Sequence, residues 1–87
     1  MNKKELLQEK LLSLSNKSNQ VICAIEEMSE LIKVLTKYLR NSPKFSEEDL
    51  IEETAHVLLT VELIQKIFFI SDKDILKEQL IALQKFI

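Results

Sequence analysis

The chain predicts an all-α fold: an antiparallel bundle of about four helices, completed by oligomerisation. Three observations predict it. The sequence has no Gly and a single Pro, so turns that demand positive φ lack their usual occupant and hairpin-rich β folds are disfavoured. Leu and Ile recur at helical spacing between polar punctuation. The apolar share is 46% in only 87 residues, more than one small bundle can hide internally, so self-association is expected.

The first helix is expected over about Lys3 to Leu14, with Leu6, Leu7, Leu11 and Leu14 at helical spacing. The polar run Ser15-Asn16-Lys17-Ser18-Asn19 interrupts or bends it. A second helix is expected from about Asn19 to Arg40, closing before Asn41-Ser42-Pro43 because a residue ahead of proline is pushed out of helical geometry. Ser46-Glu47-Glu48-Asp49 starts a third, since the serine hydroxyl accepts from a free backbone N–H and three acids meet the positive end of the dipole. That helix is expected to reach Ile70. Ser71-Asp72-Lys73-Asp74 offers a further cap, and a fourth helix runs towards Phe86. No internal repeat or low-complexity tract divides residues 1–87, which read as one domain.

Charge and composition narrow the function classes. A net charge of −2 argues against general attraction to a nucleic-acid polymer. No apolar run approaches the roughly 20 residues of a membrane span, and the charged N-terminus lacks the apolar centre of a signal peptide. The lone Cys23 fits a reducing compartment. The expectation is a soluble, cytoplasmic protein.

The chemistry sits in two pairs spaced three residues apart, Glu27 with Glu30 and Glu53 with His56. Residues at that spacing project from one side of a helix, with Cβ atoms about 5–6 Å apart. On the second helix the inward stripe is read as Gln20, Cys23, Ala24, Glu27, Leu31, Val34 and Tyr38. Glu30 lies about 60° to one side and Glu26 about 100° round, near Lys33 and Lys37. A carboxylate on an apolar stripe is costly unless paired or bound to metal. On the third helix the core seam is read as Leu50, Thr54, Val57, Val61, Ile64 and Phe68, with Glu53, His56 and Thr60 as a polar strip at its edge. That helix is apolar over most of its circumference, so a second copy of the protein is expected to cover its far side. If the two helices face each other, three carboxylates and an imidazole converge, and like charges held that close call for a divalent cation. The plainer reading makes Glu26 to Glu30 a solvated face with Lys33 and Lys37 as i,i+4 partners, and His56 a boundary histidine.

These residues resemble the MazG-like all-α nucleoside triphosphate pyrophosphohydrolases, in the short single-domain form found in bacteria and phages. The family pattern is Glu-Glu-x-x-Glu followed by Glu-x-x-Asp on the next helix. This chain carries Glu26-Glu27-Met28-Ser29-Glu30 and then Glu53-Thr54-Ala55-His56. Flanking positions look alike too: Gln20, Ala24-Ile25, Leu31, Lys37-Tyr38-Leu39-Arg40 and Glu62. The resemblance covers roughly residues 20–70. It implies Mg²⁺, with Mn²⁺ as the other candidate, held by Glu27, Glu30, Glu53 and His56. It also implies a nucleoside triphosphate substrate split to monophosphate and pyrophosphate. Glu26 matches the first letter of the pattern, but its outward angle makes it a surface residue.

His56 departs from the family's Asp. Imidazole is a softer donor, suited to Mn²⁺, Zn²⁺ or Ni²⁺ more than Mg²⁺. It could ligate a different metal, donate to phosphate, or mark weakened catalysis. The competing function is therefore a catalytically weakened or inactive helical interaction module. The expected assembly is a homo-oligomer, either a dimer or a dimer of dimers. Cys23 is read as a small thiol on the core side without a base beside it. Tyr38 is read as core packing, with stacking on a base as the alternative.

Overall fold

The computed structural model describes all residues, Met1–Ile87. It contains four helices and no strand: α1 (Lys3–Leu14), α2 (Lys17–Leu39), α3 (Glu47–Ile67) and α4 (Asp72–Phe86). No helix is long and apolar enough to cross a membrane.

Each start is set by a side-chain cap of the kind the sequence offers. Asn2, Asn16, Ser46 and Ser71 accept the backbone N–H three residues on, from Glu5, Asn19, Asp49 and Asp74. These bonds satisfy donors that the first turn of a helix leaves free. Asn16 therefore converts the expected interruption into a clean break, and α2 begins at Lys17, two residues before the expected start.

The helix ends differ from expectation. Without glycine, two other residues take the left-handed backbone: Asn41 at φ 53° and Phe69 at φ 54°. Both close a helix in the same way. The Ser42 N–H donates to the Lys37 carbonyl at 3.0 Å, and the Ile70 N–H donates to the Gln65 carbonyl at 2.9 Å, the six-to-one bond that turns the chain off the helix. Hence α3 stops at Ile67, three residues short of the expected Ile70. Asn tolerates this conformation, whereas Phe pays for its Cβ, and the Phe69 ring gains little in return because it is 93% exposed. Phe69→Gly is expected to stabilise the fold by about 1 kcal/mol, measured as a rise in the denaturant midpoint at unchanged slope.

α2 and α3 form the packed centre, running antiparallel. Tyr38 and Phe45 meet edge to face at 5.4 Å near the connecting turn. At the other end the Lys17 ammonium lies 4.9 Å over the Phe68 ring. Along α2 the expected stripe holds for Gln20, Ala24 and Val34, which are buried, and for Glu27 and Leu31, which are half-buried. It fails for Cys23 and Tyr38, both exposed. On α3 the inward seam is rotated from the expected one. Thr60 and Leu63 are buried and Glu53, His56 and Ile67 half-buried; of the expected seam Leu50, Val57 and Ile64 are half-buried, while Thr54, Val61 and Phe68 are exposed. The strip expected at the seam's edge thus faces α2 directly. A helix apolar on nearly every side offers no periodicity to choose its face.

α1 lies against α3 through polar contacts. The Lys4 ammonium donates to Glu62 Oε1 and the buried Gln8 amide donates to Glu62 Oε2, each at 2.8 Å. These two donors hold the Glu62 carboxyl below the ordinary carboxylate range, with the Lys4 bond the larger influence. A lowered folded-state pKa adds stability above the unfolded value, and that stability is lost as pH falls through the folded one. Glu62→Gln is therefore expected to cost about 1 kcal/mol or less near neutrality. It should also flatten the acid limb of the stability curve below the ordinary glutamate range, read by urea melts from pH 7 to pH 3.

The interior is slight. Only Ala24, Val34 and Leu63 are buried apolar residues. The chain exposes 7233 Å², against about 5,300 Å² for a compact 10.1 kDa monomer. Its radius of gyration is 15.4 Å, against about 12 Å for a compact domain of this length.

Candidate metal centre

Glu27 enters from the inward stripe of α2, and Glu53 and His56 enter one turn apart from α3. The rotation of α3 brings them together. One ligand atom from each of the three lies within 4.8 Å of the other two. His56 Nδ1 is 3.1 Å from Glu27 Oε2 and 3.8 Å from Glu53 Oε2. With its proton on Nδ1, the imidazole donates to Glu27.

Glu53 is the anomalous member. Its Oε2 is buried and has no hydrogen-bond partner, a costly state for a carboxylate oxygen. Burial pushes the Glu53 carboxyl above its ordinary range, and the negative charge of Glu27 pushes it further. His56 opposes that shift, while Glu30 and Glu52 add to it. An upward shift means that the bare site resists carrying all its charge.

The donor set fits a divalent cation. Two carboxylate oxygens and one imidazole nitrogen form a mixed hard and borderline set. Ligand atoms on adjacent positions of an ion with bonds of about 2.1 Å sit about 3 Å apart; His56 and Glu27 are hydrogen-bonded at 3.1 Å, and the 3.8 Å from His56 to Glu53 would have to close by under 1 Å. The unpartnered Glu53 oxygen is the atom such an ion would satisfy.

Of the four candidate ligands, the structure clusters three. Glu30 is exposed and stands outside the cluster, with its Oε1 accepting from the Lys33 ammonium at 3.1 Å. It stays near enough for its charge to act on Glu53. Lys33 thus pairs with Glu30, and Glu26 is exposed, as its angle predicted. A cavity of about 210 Å³ adjoins the cluster, with Glu27 and His56 in its wall beside Gln20, Cys23, Thr60 and Leu11. Cys23, expected on the core side, instead lines this opening. The part played by α1, through Leu11, could not be read from the sequence, because nothing in the α1 pattern says where that helix docks.

No family model matches the chain, and no curated protein or solved structure does either.

Proposed function

We propose that this protein is a divalent-cation-dependent nucleoside triphosphate pyrophosphohydrolase of the MazG-like kind, converting (d)NTP to (d)NMP and pyrophosphate. One observation carries the reading: the buried, unpartnered Glu53 Oε2 faces the same point as Glu27 and His56. Two helices have been packed so as to hold like charges together, and a cation is the simplest way to offset that cost.

Glu27, Glu53 and His56 would hold the ion. Glu30 would join as the fourth ligand, one turn along α2, on release from an exposed lysine pair worth about 0.2–1 kcal/mol. When bound, the cation neutralises phosphate charge and makes its water more acidic. The chain's own residues do the rest. Packing against α2 aims the Glu53 carboxylate, and Glu27 keeps the His56 ring turned inward. To offer its Nδ1 lone pair, the neutral His56 ring would carry its proton on Nε2 instead. Water would bond to the α-phosphorus as its bond to the α,β-bridging oxygen breaks; that oxygen leaves with pyrophosphate, and the water's protons pass to the products or solvent. Magnesium is the cation the resemblance implies, and the nitrogen donor favours Mn²⁺ over it. The proposal includes a cytoplasmic setting and a homo-oligomeric working unit, the latter supported by the excess exposed surface.

The test is pyrophosphate release from each dNTP with Mg²⁺ or Mn²⁺. Turnover is expected with the cation and none after chelation, and turnover that survives Glu27→Gln or Glu53→Gln sinks the assignment. The second reading, a helical interaction module without chemistry, is favoured by the many exposed apolar side chains. Calorimetric titration separates the two: binding of neither cation nor a non-hydrolysable nucleotide would select the module.

A further inference from the structure

α2 carries a second pattern that the candidate site does not use. Ile25, Met28, Ile32, Leu35 and Leu39 follow one another at alternating spacings of three and four. This is the a/d repeat of a helix that packs against another helix along its length. All five are exposed, from 41% at Met28 to 79% at Leu39, so nothing within the chain covers the seam. It lies about 100° round the helix from the stripe bearing Glu27, leaving the site's face to α3 and this face free. The positions flanking it in the repeat, Ala24, Ser29, Leu31, Thr36 and Tyr38, are uncharged, which suits a dry contact.

From this we infer that the α2 seam is the surface on which two copies of the chain associate, the seam of one copy packing on the same seam of the other about a twofold axis. The area argument selects a second copy as the occupant. The surface beyond that of a compact monomer, spread over all four helices, is about 1,900 Å² per chain, over twice the roughly 800 Å² that each partner contributes to a standard interface. Obligate homodimers often have no stable folded monomer, and unfinished packing on this scale fits such a chain. A twofold contact also needs one self-complementary patch, and an uncharged stripe of Ile, Met and Leu complements itself without like-charge repulsion. The seam spans about four turns, with three a and two d positions to interlock. The inference names the contact surface of the homo-oligomer and rests on that part of the proposed function, not on the metal.

Sedimentation at 10 µM is the test. The wild type is expected at twice 10.1 kDa or a larger even multiple, and Ile32→Glu, at the centre of the seam, is expected to cut that mass by at least half. Leu83→Glu, on the exposed face of α4, is expected to leave it unchanged. A monomeric wild type overturns both the inference and the homo-oligomer reading. An oligomer that Ile32→Glu leaves intact, or that Leu83→Glu dissociates in its place, overturns the seam alone. Because Ile32→Glu could unfold the chain, thiol protection in a Cys23→Ser background gives a second measure. An Ile32→Cys thiol is expected to react with maleimide at least tenfold more slowly than a Leu83→Cys thiol. Equal rates would overturn the seam.

Discussion

Glu53→Gln is expected to weaken cation binding by about 100-fold or more and, at the same time, to raise the melting temperature of the metal-free protein near neutral pH. Both outcomes trace to the same carboxylate, so they are expected together. The loss of binding follows from removing one of three converging donors, at a cost of about 100-fold or more in affinity, since even supporting residues around a metal are worth about 10–100-fold. The gain follows from the unpartnered Oε2 and the raised carboxyl. A folded-state pKa above the unfolded value means that the folded chain holds its proton more tightly. Stability is therefore greatest below the unfolded glutamate range and falls as pH rises through the folded value. The neutral amide of the variant carries no charge to lose, so that decline disappears. Saturating Mn²⁺ should flatten the same decline in the wild type, because a bound cation favours the ionised form. Calorimetry for binding, with melting curves from pH 4 to pH 8, checks both halves. A variant less stable than the wild type at neutral pH without metal would show that Glu53 is held by the fold and is not waiting for an ion.

His56→Asp is expected to move the cation preference from Mn²⁺ towards Mg²⁺ by about tenfold or more, because it exchanges a borderline nitrogen donor for a hard oxygen. Without metal the variant should be less stable by about 1 kcal/mol, since the hydrogen bond to Glu27 is lost and a third carboxylate joins Glu27 and Glu53. Added Mg²⁺ should restore the loss. Competition calorimetry with the two cations reads the preference directly. An unchanged Mn²⁺ to Mg²⁺ ratio would mean that residue 56 is not a ligand, whatever its distance from Glu27.

Much of this is legible along the chain. Three of the four expected helix starts are marked by their caps or periodicity, because Asn and Ser side chains act within one turn of themselves. The left-handed closures at Asn41 and Phe69 are not, since a phenylalanine gives no sign that it will take a glycine's conformation. The inward stripe of α2 is largely legible, with polar residues breaking the apolar pattern on its other side. The seam expected on α3 lies about one position out of register for the opposite reason. With Leu58, Leu59, Leu63, Ile64 and Ile67 round its circumference, no single face stands out.

The acidic pairs emerge from spacing alone, but spacing does not say which members meet. Glu27 and Glu30 are equivalent by the i,i+3 rule, yet one faces His56 while the other is taken by Lys33. The difference is one of rotation about α2, which depends on what α3 presents.

Local rules thus suffice for the all-helical character, most of the helix starts and the residue types able to hold a cation, since each of these depends on neighbours within a turn. The choice of Glu27, Glu53 and His56 as the meeting point, the bare oxygen on Glu53 and the cavity walled by α1 arise only when separate helices pack. Packing sets the relative rotation of two helices through contacts far apart in the chain, and no periodicity within one helix records it.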